Sequence, residues 1–202
     1  MTASKASDAQ ARGKALGDHD GPWTVDDLLD HDQHEERSRI ELVGGALIVS
    51  PSPSWSHQKA SYRLMGQLES AINGSDAPFD VVEAFNVRTA DELFIPALVV
   101  ADYEAVKNGA IAVSMEDVLL LVEIVSPGNA RMDRQLKPTA YAELGLEHYW
   151  RLEPAAATPE LIVHTLAGGE YKETVRVTGT AKVPVGDHFV VDVDVPALFR
   201  RR

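Results

Sequence analysis

A single carboxylate, Glu123, interrupts the run Val118-Leu119-Leu120-Leu121-Val122-Glu123-Ile124-Val125. A run of this kind describes a strand covered on both faces. A charge inside it is costly unless it is paired or holds a metal, because an isolated carboxylate in a low dielectric protonates instead. The fold must therefore bring a partner to this position. Asp133, Lys137 and Tyr141 follow at i, i+4 spacing, which puts them on one face of a helix. A buried acid beside a helix that presents a lysine is equipment suited to activating water. The competing reading is structural: Glu123 paired with an arginine or a helix N-terminus, and Asp133 with Lys137 as a helical ion pair worth roughly a few tenths of a kcal/mol.

A second acid, Glu41, lies in Ile40-Glu41-Leu42-Val43, a stretch otherwise suited to burial. Held near Glu123, it would make a divalent-metal site, since magnesium and manganese prefer carboxylate and water oxygens. On an edge strand it would simply face solvent. His57 shares a helical stripe with Leu64, Leu68 and Ile72, so it points inward, as either a hydrogen-bonded core histidine or a supporting group of the site. His31-x-x-His34 is a weak metal pattern in an acidic helix. No Walker-type glycine loop and no serine or histidine in a nucleophile context is present.

Around these residues the pattern predicts a mixed order of elements. Thr24-Val25-Asp26-Asp27 is a capping box that opens a helix through about Glu36. Ile40–Val43 and Ala46–Ser50 form a hairpin across Gly44-Gly45. A helix follows over Trp55–Ile72, capped by Ser54 and ended by Asn73-Gly74. Strands are expected at Val81–Arg88, Phe94–Val100, Val118–Val125 and His148–Leu152. Further strands are expected at Leu161–Leu166, Tyr171–Val177 and His188–Val193, with a hairpin at Gly168-Gly169. A helix between Arg131 and Leu144 stops at Gly145 and is either kinked by Pro138 or restarts with it in its first turn. The fold class is α/β or α+β: a mixed β-sheet flanked by helices.

Composition narrows function more by exclusion. At 202 residues, 45% hydrophobic and 25% charged, the chain suits one globular domain over 21–202 behind a polar, disordered leader over 1–20. With no cysteine, disulfides and thiolate metal sites are excluded. Nothing resembles a secretory signal, and no apolar stretch reaches the roughly 20 residues that span a bilayer, so a cytoplasmic location without membrane partners is expected. A net charge of −12 opposes broad attraction to nucleic acid, although Arg131, Arg134 and Lys137 make a local basic stretch.

Taken in order, the elements resemble the Uma-type restriction endonuclease family of the PD-(D/E)XK nuclease superfamily. The matching stretches are Glu41-Leu42-Val43-Gly44-Gly45, Ser50-Pro51 with His57 beyond, and Phe94-Ile95-Pro96-Ala97-Leu98-Val99-Val100. They continue through Glu123-Ile124-Val125-Ser126-Pro127, Asp133, Lys137, Tyr141, Gly145 and Tyr149-Trp150, so that the resemblance covers roughly Val25 to Val193. It implies a restriction-endonuclease-like core and a metal-dependent DNA endonuclease using magnesium or manganese. By resemblance, Glu123 is the D/E acid and Glu41 the additional acid of the metal site. Val125 stands where the usual lysine would be, and Lys137 on the following helix is the lysine that replaces it. Asp133, Tyr141 and His57 take supporting roles, Arg131 and Arg134 contact the DNA backbone, and a homodimer would cut two strands.

One position departs from the family pattern: Pro96 is followed by Ala97 where the family carries its aspartate. A methyl group cannot coordinate a cation, and Asp102, five residues on, cannot replace it by strand alternation. Two expectations therefore stand together: an endonuclease with an impaired metal site, or an inactive nuclease-fold module that binds nucleic acid or protein.

Overall fold

The structure, a computed structural model, describes residues 19, 21–32, 39–107 and 109–200, with the side chains at 31 and 32 left out. The expected leader apart from His19, the end of the first helix at Glu35 and Glu36, and the side chains of the His31-x-x-His34 pair lie outside what is described.

Helix α1 (Val25–Asp32) opens as its sequence demands. The Thr24 N–H donates to Asp27 Oδ2 at 2.9 Å, and the Asp27 N–H donates back to Thr24 Oγ1 at 3.2 Å, the reciprocal bonds of a capping box. Strands β1 (Arg39–Val43) and β2 (Ala46–Ser50) form the expected hairpin. Its two turn residues, Gly44 and Gly45, both have positive φ, 57° and 74°, the conformation that a two-residue primed turn requires. Helix α2 runs over Trp55–Ser75 with Ser54 accepting from the His57 N–H. It passes through Asn73-Gly74, which the sequence suggests as its end, and stops instead at Asp76 in the left-handed region.

Two stretches that read as continuous strands are broken. The first divides into β3 (Phe79–Glu83) and β4 (Asn86–Arg88), which belong to different sheets. Ala84, at φ 51°, turns the chain between them. The second divides into β5 (Leu93–Phe94) and β6 (Leu98–Asp102). Between these strands Pro96 has no N–H to give a ladder, and the Ile95 N–H goes to the Glu41 carboxylate. Three short elements escape the sequence patterns before the central strand β8 (Val118–Ile124): α3 (Tyr103–Val106), β7 (Ala112–Ser114) and a 3₁₀ turn, Met115–Asp117.

After β8 the chain makes a π-helical turn, Met132–Leu136, and then α4 (Lys137–Glu143). Pro138 lies in the first turn of α4, so the helix restarts there, as one of the two expected alternatives has it. Pro138 cannot donate to the preceding turn, and the Lys137 N–H reaches the Met132 carbonyl across the widened turn. Gly145, φ 79°, ends α4. The remaining strands are β9 (His148–Glu153), β10 (Glu160–Ala167), β11 (Glu170–Val177), β12 (Thr180–Val185) and β13 (Phe189–Asp194), followed by the short helix α5 (Val195–Phe199).

These strands make three sheets rather than one: β2-β1-β5-β4-β7, β11-β10-β9-β8-β6-β3, and the β12-β13 ribbon. Pairing is antiparallel except for β8 with β9 and β4 with β7, so the architecture is mixed α+β. Side chains of β8 alternate. Leu120, Val122 and Ile124 join the core beneath α2, with Leu64, Leu68 and Trp150. Leu121 faces the other way, into a core with Phe94, Tyr141 and Tyr149. Glu123 shares that second face. Among the described residues no helix is long and apolar enough to cross a membrane.

Candidate active site

Three elements deliver charged side chains to one cleft of about 240 Å³. β1 supplies Glu41, β8 supplies Glu123, and α4 supplies Lys137. All three are buried, with 2%, 4% and 4% of their surfaces exposed, so each depends on opposite charge and hydrogen bonds from its neighbours. The Lys137 Nζ lies 2.8 Å from Glu41 Oε1 and 3.0 Å from Glu123 Oε1. Glu41 Oε1 also accepts from the Ile95 N–H at 2.7 Å, and Glu123 Oε1 from the Tyr141 hydroxyl at 2.8 Å. Glu41 is thus a buried member of the site rather than a solvent-facing edge residue.

Burial works to lower the pKa of Lys137, but Glu123 and Glu41 outweigh it and hold the ammonium above its usual range. Burial raises Glu41, and Lys137 only partly offsets this. Tyr141 is held well above its ordinary value by burial and by Glu123, so its hydroxyl stays a donor. Asp133 shares the cleft, one π turn before Lys137, and accepts weakly from the Ser126 N–H at 3.4 Å. Its carboxyl is pushed up to about 7, first by burial and then by the charge on Glu123.

Ala97 is 3% exposed and lines the same cleft. Leu98 pairs with Val122 across β6 and β8, and one further step of that antiparallel register sets Ala97 opposite Glu123. Asp102 sits at the far end of β6 and caps α3 through the Glu104 N–H, so it takes no part in the cleft. His57 lines the cleft half-buried. Burial lowers its pKa, with Arg39 adding to the effect, and its Nδ1 meets no hydrogen-bond partner among the described residues. Arg131 is exposed, whereas Arg134 is bound through Nε and Nη2 to Glu153, at 2.9 and 2.6 Å.

Some lining residues carried no signal in the sequence. Arg39 borders the cleft just before Glu41, and the Asn129 amide donates to Ser50 Oγ at 2.9 Å, tying the loop after β8 to the end of the first hairpin. Asn129 lies in a loop without periodicity, and Arg39, the first residue of β1, reads as an ordinary surface cation.

Among the described residues no group of three histidine, aspartate or glutamate side chains converges to hold a metal ion. Two carboxylates do meet on one atom, however. Magnesium is commonly bound by one or two carboxylates, keeping waters and taking substrate phosphates for the rest of its shell. Glu41 and Glu123 fit that reduced set, and the hydrogen bonds described for each go to Oε1.

The comparisons with known proteins agree with this architecture. The family model described as "Uma2: Putative restriction endonuclease" matches residues 25–195. Among solved structures, one described as a putative nuclease belonging to DUF820, from Anabaena variabilis, superposes with a TM-score of 0.65 at 15% identity, covering 85% of this chain and 96% of its own. At that identity the likeness is one of fold. No curated protein matches the chain.

Proposed function

The chain belongs to the Uma2 family described as putative restriction endonucleases, and from that premise we propose that it is a DNA endonuclease dependent on magnesium or manganese, with activity reduced by the alanine at position 97. One observation carries the reading: a lysine and two acids from three separate elements meet within 3.0 Å in an open cleft. A stability role alone would not need that cluster to line a cleft, and buried ion pairs are weak stabilisers in any case.

Glu41 and Glu123 would hold the cation, with substrate phosphate completing its shell. When bound, the ion supplies Lewis acidity toward a phosphoryl oxygen and lowers the pKa of a water. Lys137 would neutralise charge that develops on the phosphate as water attacks phosphorus and the P–O bond to the leaving sugar breaks. Tyr141 and the Ile95 N–H fix the two carboxylates. Arg131 would meet the DNA backbone, and Arg134, already fixed by Glu153, would do so with less freedom. Such contacts carry no sequence information.

Plasmid cleavage in manganese tests the reading. Ala97→Asp should cut at least about tenfold faster than the present chain, and Glu123→Ala added to it should abolish cutting. If Ala97→Asp cuts nothing across metals and substrates, the second reading prevails: a nuclease-fold module that binds without catalysis, which the methyl at 97 favours.

A further inference from the structure

We propose that the outer face of α2, beside the acid cleft, is a stacking platform for unpaired DNA bases, which makes single-stranded or branched DNA the substrate class of that cleft. The catalytic part rests on the nuclease reading; the binding part does not.

Trp55 is 74% exposed and Tyr62 60% exposed, the two most exposed aromatic residues described. Large aromatics left in water on one stripe mark a binding surface more often than scattered exposure does. Their i, i+7 spacing sets them two turns apart on one side of α2, about 10 Å along its axis. Lys59 lies between them, its Nζ 5.1 Å from the centre of the Tyr62 ring. A groove of about 440 Å³ runs past these three side chains and past Arg39, with Glu83 the one acid lining it. In a chain of net charge −12, a groove with two cations and one acid reverses the prevailing sign.

Continuity with the cleft gives the platform its meaning. Arg39, Pro53 and His57 line both the groove and the acid site, so a strand lying along the groove leads directly to Glu41 and Glu123. Proteins that take single strands combine a cationic track with aromatic faces on which bases stack, and a base can use such a face only when it has left the duplex. Contacts to duplex backbone would need cations but not exposed rings.

The test is anisotropy of a labelled oligothymidine of about 16 nucleotides with the full chain in EDTA, so that no cleavage intervenes. Trp55→Ala and Tyr62→Ala should each weaken binding about fivefold or more, Trp55→Phe should recover most of it, and a duplex of the same length should bind more weakly. Trp55→Ala should also abolish the quenching of tryptophan emission that DNA causes. Circular dichroism checks that the variants fold. The proposal is overturned if oligothymidine does not bind, or binds no better than duplex and is indifferent to Trp55. It is overturned equally if light scattering shows these substitutions splitting a dimer while DNA affinity is unchanged. Cutting of single-stranded DNA by Ala97→Asp that is untouched by Trp55→Ala would remove the platform and leave the nuclease reading. Trp55-dependent oligothymidine binding without any cutting by Ala97→Asp would do the reverse.

Discussion

The Ala84 N–H donates to the Ala97 carbonyl at 3.1 Å, so the residue that carries the chain from one sheet to another is tied to the residue opposite Glu123. Ala84 adopts φ 51°, a left-handed conformation that costs a side-chain-bearing residue roughly 1–2 kcal/mol. Valine is worse there, because branching at Cβ makes positive φ a true outlier. Ala84→Val should therefore lower stability in urea by at least about 1 kcal/mol, while Ala84→Gly should be neutral or stabilising. Equal midpoints for Val and Gly would mean that the turn is not held as described.

Lys137 is the cation on which two buried carboxylates depend. Lys137→Met leaves both uncompensated and should cost about 3–5 kcal/mol at pH 8. Part of that loss should return on acidification. Glu41 already has a raised pKa, and a raised folded-state pKa contributes stability that is present at low pH and lost as pH rises. The triple variant Glu41→Gln, Lys137→Met, Glu123→Gln should regain most of the loss in thermal melts. A triple variant as unstable as Lys137→Met would show that shape, not charge, is what the lysine provides.

Asp133 offers a pH signature of its own. Its carboxyl titrates near 7 in the fold against an ordinary value of 3.8. Between those values the folded chain binds more protons than the unfolded one, so this group weakens the fold as pH climbs from about 4 to 7. Asp133→Asn removes that penalty. In chelator-treated protein it should be more stable than the parent at pH 8, and the difference should vanish near pH 4. A constant difference across the range would place the carboxyl in a more hydrated setting.

Tyr141→Phe removes a single hydroxyl, the one donating to Glu123 Oε1 at 2.8 Å. A hydrogen bond to a charged acceptor is worth about 1.5–3 kcal/mol, and a loss of that order is expected by urea unfolding. In the Ala97→Asp background the same change should slow plasmid cutting without abolishing it, because Glu123 keeps its lysine.

Much of the site could be found in the sequence because burial makes charge conspicuous. Glu123 stands out in β8 since every neighbour is apolar, and Asp133, Lys137 and Tyr141 fall on one face because a helix repeats even across a π turn. The breaks at Ala84 and Ile95-Pro96 were less visible. Both stretches are apolar enough to be strands throughout; Pro96 interrupts the second, and pairing with different sheets divides both. Ribbon strand β12 is hidden for another reason: its alternation is intact, but Pro184 has no N–H to offer a ladder and argues against a strand, and pairing with β13 supplies the order. Arg39 and the α2 aromatics carry no pattern that separates them from ordinary surface.

An acid pocket that brings its own ammonium needs no dissolved ion to survive folding. The methyl at 97 adds no further negative charge to a cleft in which one ammonium already answers two carboxylates. A carboxylate placed at 97 would be a further acid beside a single lysine, so Ala97→Asp should make the pocket lean on a cation from outside.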